Sequence, residues 1–343
     1  MANFTNSSEV PGNWTVHPEV RPSDVAIAVW LAFTLTLCGL AVLSNIGMQV
    51  VTFARSTAPS PIKLLVANLC MTYLLSALIF APVSALRMYY RYQDVQFPTG
   101  FCRYFHSCYV VVIVVSFWTN ACLAINRLVA ICLPLMYRDL MTTQITKWMV
   151  ALTWIISVIL LLPTMFGVGG VYDNPGGTEI VSVCFFTITS PYGNLVMNVY
   201  ASAIPIVIVA VAATTVTVKT VVAKIRRRRV VERLQADVQV ESRLLQRRLH
   251  IAKMLLLSFG IFLLCSAPVP LEMMSLNVRA LIGRVPMLRE WTRCISLLEY
   301  ALNPIIFFSM NHDYSNSFAI LRQRWITSIS GRTSRSVWPS LVF

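Results

Sequence analysis

Seven apolar runs recur along the chain, each closed off by a polar or charged connection. They fall near 25–53, 62–88, 103–133, 147–168, 192–222, 249–276 and 289–311. Crossing the hydrocarbon of a bilayer takes about 20 helical residues. A crossing segment must also satisfy its own backbone polar groups, which an α-helix does. The pattern predicts seven spans packed as one bundle over residues 25–326. The polar stretch 1–24 reads as a tail before the bundle, and 327–343 as a tail after it. Beyond span 7, Phe318, Leu321 and Trp325 share one helical face, which predicts a short amphipathic helix along the inner leaflet. The fold class is an all-α membrane protein, a seven-transmembrane helix bundle with that short C-terminal helix.

Composition agrees. The chain is 57% hydrophobic and 12% charged, against about 25% charged in soluble domains. In a soluble chain the net charge of +14 would suggest nucleic acid. In a membrane chain what matters is where Lys and Arg sit, and no nucleic-acid partner is expected. With seven spans, 20 of them fall on one side and 8 on the other. The richer side is expected to be cytoplasmic. The chain is then a multi-pass cell-membrane protein with an extracellular N-terminus and a cytoplasmic C-terminus. Glycosylation sequons at Asn3, Asn6 and Asn13 agree with that orientation. Residues 1–24 lack the apolar core of a cleavable signal, so span 1 is expected to act as its own. The run Arg226–Arg229 reads either as a site for anionic lipid headgroups or as a plain stop-transfer signal.

Nine cysteines are present, mostly inside spans. Cys102 and Cys184 instead sit in outer connections, facing an oxidising compartment. They are either two unpaired thiols or a bridge tying the loop 165–191 over span 3. Their placement favours the bridge.

Several residues break the apolar pattern in ways that suggest work. Arg127 lies near the end of span 3, and a guanidinium keeps its charge at a depth where charge is costly. Such an Arg marks a snorkelling membrane edge or a switch. Pro163, Pro205, Pro268 and Pro304 are expected deep in four spans, where each kinks its helix. Kinked helices offer two packings of similar energy. Glu299 is an acid in the middle of span 7, one turn before Asn303.

Together these landmarks resemble the rhodopsin-like G protein-coupled receptors. The resemblance runs through Asn45, Asn68-Leu69, Cys102, Asn126-Arg127-Leu128, Trp154, Pro205, Phe262, Pro268 and Asn303-Pro304-Ile305-Ile306-Phe307, in order and with matching spacing. It implies a receptor that binds an extracellular ligand and activates a heterotrimeric G protein by outward movement of span 6. Arg127 would hold spans 3 and 6 at rest and then meet the G protein. Pro134 would sit in the docking loop, Pro268 would be the hinge of span 6, and Asn303 with Pro304 would relay the motion. The chain departs from the family pattern at Asn126, where an acid is usual, and at Leu128 and Phe307, where Tyr is usual. Tyr73 replaces the sodium-binding Asp of span 2, Ser266 replaces a Trp of span 6, and Arg248 stands where an acid usually closes the switch. Glu299 could supply a displaced carboxylate to a central polar pocket with Tyr73, Ser116 and Asn120, either as an ion site or as a hydrogen-bonded Glu with no ion.

The outer half of the bundle is the expected ligand pocket. Candidate lining groups are Arg87, His106, Tyr109, Ile113, Tyr192, Glu272, Met273, Asn277 and Arg293. The charged ones pair with each other or receive an acidic ligand. Opsin chemistry is disfavoured: the relevant span 7 position is Leu297, and all five lysines lie on the cytoplasmic side. Amine receptors carry a span 3 Asp where this chain has Tyr109. A narrower resemblance, from Ala130 to Thr142 and from Leu302 to Phe307, is to vertebrate-type olfactory receptors, and implies a small-molecule, chemosensory role. Those receptors' extra outer-loop cysteines and span 6 motif are absent.

Two rival classes remain. A non-signalling scaffold or decoy receptor fits the altered switch residues. A transporter would be expected to show internal repeats and midplane ionisable pairs. An enzyme is not expected, since the four histidines are scattered and no metal-ligand spacing or nucleophile–base pair occurs. No cofactor is implied.

Overall fold

The computed structural model describes residues 22–54, 61–93, 95, 100–173, 185–234, 253, 256–266, 268, 287–310 and 323. Span 1 is the helix Asp24–Ala54. Span 2 runs Pro61–Leu75, passes through a π-helical segment Ser76–Phe80 and continues as Ala81–Tyr92. Span 3 opens with π-helical Cys102–His106 and continues as Ser107–Cys132. A short helix, Tyr137–Leu140, follows. Span 4 is Thr143–Met165. Span 5 starts at Pro191–Asn194, is π-helical over Leu195–Ala203, and runs on as Ile204–Leu234. The described part of span 6 is the apolar helix Leu256–Ser266. Span 7 is Leu288–Met310.

Among the described residues, five helices are long and apolar enough to cross a membrane. Span 7 is long enough but carries Glu290, Arg293 and Glu299. Large apolar side chains such as Leu43, Phe53, Leu78, Ile159 and Leu264 are exposed. In a bilayer that face meets lipid. Spans 4 and 5 start on sequence-encoded caps. The Thr142 side chain accepts from the Ile145 amide at 3.2 Å, and the Ser190 side chain accepts from Gly193 at 3.3 Å. Each satisfies an amide that the helix leaves open.

Among the described residues, three apolar clusters hold the bundle. Met48, Leu65, Tyr73 and Leu297 belong to one that joins spans 1, 2 and 7. Val114, Leu161, Met197 and Phe186 form another under the outer loop. Ala121, Ala124, Ala212 and Ala213 belong to the third, between spans 3 and 5. Small residues there let two backbones approach closely, which is how helices pack without a water-driven force.

The outer loop holds a two-stranded antiparallel ribbon that the apolar pattern did not predict. Strand β1, Gly170–Asp173, pairs with β2, Phe185–Ile188, with Gly170 opposite Ile188. Its four-residue strands are too short for an alternating pattern to stand out. Gly169 has φ +94° and lies against Gly193 at the start of span 5, and a Cβ on Gly193 would collide with the Gly169 carbonyl. Two glycines therefore let the ribbon rest on span 5.

Pro163 is not deep in its span. Span 4 ends two residues later, and the Phe166 and Val168 amides bond to the Pro163 carbonyl at 3.0 and 3.1 Å. It closes a helix rather than kinking one. Pro304 does lie inside span 7, and Pro205 follows the π-helical segment of span 5. Arg248, Glu272, Met273, Asn277, Cys184, Asn3, Asn6, Asn13 and the amphipathic stretch from Phe318 to Trp325 lie outside the described residues.

Candidate functional site

The outer half of the bundle encloses a cavity of about 150 Å³. His106, Tyr109, Ile113 and Arg293 line it as expected. The three π-helical segments frame it. Met197 and Ala201 reach it from the segment in span 5, His106 from that in span 3, and Ala81 follows that in span 2. A π-helical turn shifts the register of every later side chain and recurs at functional sites.

Two expected lining residues turn elsewhere. Arg87 is buried, with its guanidinium carbon 5.5 Å from the centre of the Phe101 ring. From there a ladder of rings runs through Phe105 and Phe80 to Tyr109, with centroids 4.9, 5.3 and 5.2 Å apart. An aromatic face attracts a cation, so Arg87 caps this ladder rather than facing the cavity. The Tyr192 hydroxyl donates to the Leu160 carbonyl at 2.7 Å and braces span 5 against span 4.

The sequence reading missed Trp30, Thr34, Glu290 and Tyr300, all of which line the cavity. Glu290 is 2% exposed. It stands three residues before Arg293, on the same helical face, and that spacing was a usable signal.

Below the cavity lies a buried polar hub. Glu299 is fully buried. Its Oε1 accepts from the Tyr73 hydroxyl at 2.6 Å and from Asn120 Nδ2 at 3.3 Å, and its Oε2 accepts from the Ser266 hydroxyl. The Tyr73 oxygen also accepts from Asn120 at 3.1 Å and from Asn303 at 3.0 Å. One carboxyl thus gathers spans 2, 3, 6 and 7. Tyr73, which replaces the family's span 2 acid, has a side chain long enough to reach Glu299. Ser116 does not join the hub. Its hydroxyl turns back to the Ile113 carbonyl at 2.7 Å. The groups bonded to Glu299 are all hydroxyl or amide donors, so a cation would have to displace a donor to enter.

Ser266 belongs to both structures, since it lines the cavity and bonds to Glu299. On the other side of the hub, Asn120 and Asn303 line a second cavity of about 30 Å³ together with Arg127, Phe262 and Phe307. Arg127 is 8% exposed, five residues from the end of its helix at Cys132. Beside it, Asn126 Oδ1 accepts from the Tyr137 hydroxyl at 3.4 Å. The residue that replaces the family's acid therefore holds the inner loop. Farther up, Asn68 donates to Thr119 at 2.8 Å and accepts from the Trp154 indole at 3.0 Å, joining spans 2, 3 and 4. Asn45 donates to the Tyr300 carbonyl at 2.8 Å, joining spans 1 and 7. Cys102 is disulfide-bonded.

This chain of contacts, from cavity through hub to a buried Arg, agrees with a sequence-level match. A family model described as 7 transmembrane receptor (rhodopsin family) covers residues 44–307. The chain belongs to that family. Among curated relatives, the adenosine receptor A2b of Bos taurus is 24% identical over 328 residues, covering 89% of this chain and 92% of the relative. The human adenosine receptor A2b is 22% identical over 342 residues, with 92% and 97% covered. The human adenosine receptor A2a is 23% identical over 255 residues, with 70% and 59% covered. The family consists of membrane receptors rather than enzymes.

Proposed function

We propose that the chain is a cell-surface receptor that takes an extracellular small molecule in the outer cavity and activates a heterotrimeric G protein at its inner face. The observation that carries this reading is Ser266, shared between the cavity and the Glu299 hub. A ligand that shifts Ser266 alters a bond to a carboxyl that also holds spans 2, 3 and 7. Asn303 and Asn120 then connect the hub to the cavity beside Arg127. A ligand moves such an equilibrium only by its difference in affinity for the two states, and a bond present in one arrangement and broken in the other supplies that difference. Span 6, hinged at Pro268, is the moving element, and Pro134 lies in the loop that meets the G protein. Arg248 carries no acid to close the switch, so the hub supplies the resting restraint.

The geometry favours a hydrogen-bonded Glu299 over an ion site, because donors surround it. Sodium sensitivity that disappears in Glu299→Gln would reverse that preference. The ligand class rests on different grounds. The relatives are named for adenosine, and the inner loop resembles olfactory receptors, so a nucleoside panel and a volatile panel are the first two screens. The N-terminus is extracellular on the count of basic residues and the sequons, and an epitope tag at residue 1 that antibody reaches on intact cells is the check. Cys102 bridges Cys184 and ties the ribbon over span 3.

The experiment is a G protein activation assay in cells, comparing wild type with Arg127→Ala at matched surface expression. Loss of basal and evoked signal in the variant is expected. A signal that ignores the substitution counts against the mechanism, and no signal from wild type under any condition favours the decoy reading.

A further inference from the structure

The outer cavity is walled mainly by carbon. Ile113, Val114 and Phe117 of span 3, Phe186 of the ribbon, Met197 of span 5 and Leu297 of span 7 all line it. Most of its hydroxyls are already committed. The Thr34 hydroxyl donates to the Trp30 carbonyl at 2.8 Å, Ser202 to the Met197 carbonyl at 3.1 Å and Ser296 to the Arg293 carbonyl at 2.6 Å. A hydroxyl that has given its proton to its own helix offers a ligand only lone pairs. Ser266 donates to Glu299, and Tyr109 and Tyr300 hydrogen-bond to each other. Among the described residues, Ser84 is the one lining hydroxyl not held in this way. It stands one turn after the π-helical segment of span 2.

The charged lining groups balance. Among the described residues they are one carboxyl and one guanidinium, Glu290 and Arg293. They lie three residues apart on one face of span 7, a spacing at which opposite charges attract, and each engages other groups of the protein. An ionised ligand would leave water for apolar walls that hold no surplus charge to meet it, which is strongly unfavourable. Size narrows the choice further. The volume of about 150 Å³ matches that of a dry apolar cavity that takes up benzene. One ring with a short chain fits such a space. A bicyclic base joined to a sugar is far larger.

We infer that the ligand is a small uncharged molecule of one ring and a short chain, with its body against Ile113, Phe117 and Leu297 and a single hydrogen-bonding oxygen on the Ser84 hydroxyl. The inference rests on reading the chain as a ligand-activated receptor and names the chemistry that this same cavity takes.

The test uses purified full-length receptor in lipid nanodiscs and five probes: 2-phenylethanol, ethylbenzene, phenylacetate, 2-phenylethylamine and adenosine. Binding is read by fluorine NMR as displacement of a ring-fluorinated 2-phenylethanol. Receptor-free nanodiscs correct for uptake into lipid, and G protein turnover is followed in parallel. The alcohol should bind at least about tenfold tighter than the carboxylate, the amine or adenosine, because neither ion finds a counter-charge and the nucleoside does not fit. It should bind about three- to tenfold tighter than ethylbenzene, the worth of one neutral hydrogen bond. Ser84→Ala should close that last gap and leave ethylbenzene unchanged. Ala201→Leu, which puts a larger side chain into the cavity, should weaken both neutral probes at least about tenfold. Should Ala201→Leu fail to fold, the probe ranking and Ser84→Ala decide the matter. Equal or tighter binding of either ion or of adenosine overturns the inference. So does no displacement by a neutral probe, neutral binding that Ala201→Leu leaves unweakened, or an alcohol preference that is absent or that Ser84→Ala retains. Alcohol binding with no change in G protein turnover instead leaves the inference standing and sinks the receptor reading.

Discussion

Tyr73→Phe deletes one oxygen and keeps the ring, which stays stacked on Tyr300 with centroids 4.7 Å apart. That oxygen makes three bonds: to Glu299 at 2.6 Å, from Asn120 at 3.1 Å and from Asn303 at 3.0 Å. Side-chain hydrogen bonds between membrane helices are worth about 0.6 kcal/mol on average and about 1.7 at most. Three of them give about 2 to 5 kcal/mol. The substitution strips Asn303 Nδ2 of this acceptor and leaves Glu299 Oε1 the longer 3.3 Å contact from Asn120, and a buried polar group left so costs about 1–3 kcal/mol. The estimate settles near 3 kcal/mol, because the three bonds share one oxygen and do not add fully. At about 2 °C per kcal/mol for a large domain, the unfolding midpoint should fall by about 6 °C. The assay is fluorescence-monitored thermal unfolding of purified receptor, with Tyr104→Phe as control, since Tyr104 is 57% exposed. A Tyr73→Phe midpoint within about 1 °C of the control would refute the hub as a structural clasp.

Two further outcomes follow from the same contacts. Trp154→Phe keeps an aromatic side chain but removes the indole donor to Asn68 Oδ1. It should cost about 1 kcal/mol, read as a drop of about 2 °C in the same unfolding assay, and no drop would show that Asn68 finds another donor. Peptide mapping without reduction should recover Cys102 joined to Cys184, with Cys102→Ser lowering surface expression. Recovery of Cys102 joined to another cysteine would break the proposed tie between span 3 and the ribbon.

Spans 1 to 5 were legible because length and hydropathy set them, and the bilayer leaves little alternative to helix. Asn68, Trp154 and Arg127 were legible as spaced landmarks, and the structure buries Asn68 and Arg127 and bonds the half-buried Trp154 to Asn68. Glu299 was legible as an acid in an apolar run. Its partners were harder to read, because which side chains meet a mid-span residue depends on helix rotation, and the π-helical segments change that rotation in spans 2, 3 and 5. Ser116 was expected beside Glu299 and instead bonds its own helix. Tyr192 and Arg87 were expected in the cavity and instead brace a neighbouring span and cap a ring ladder. Ser266 looked like a missing Trp, and only the fold shows it as the link between cavity and hub. The ribbon escaped notice because two four-residue strands carry too little periodicity.

The central claim is that the cavity and the inner switch communicate through the bond between Ser266 and Glu299. The direct measurement is a double-mutant cycle on ligand-independent G protein turnover by purified receptor: wild type, Ser266→Ala, Glu299→Gln and both together. Each single change should raise turnover, and the pair should match Glu299→Gln alone, since removing one end of a shared bond leaves nothing for the second change to break. Effects that multiply independently, or turnover no higher than G protein alone in all four, would contradict the account.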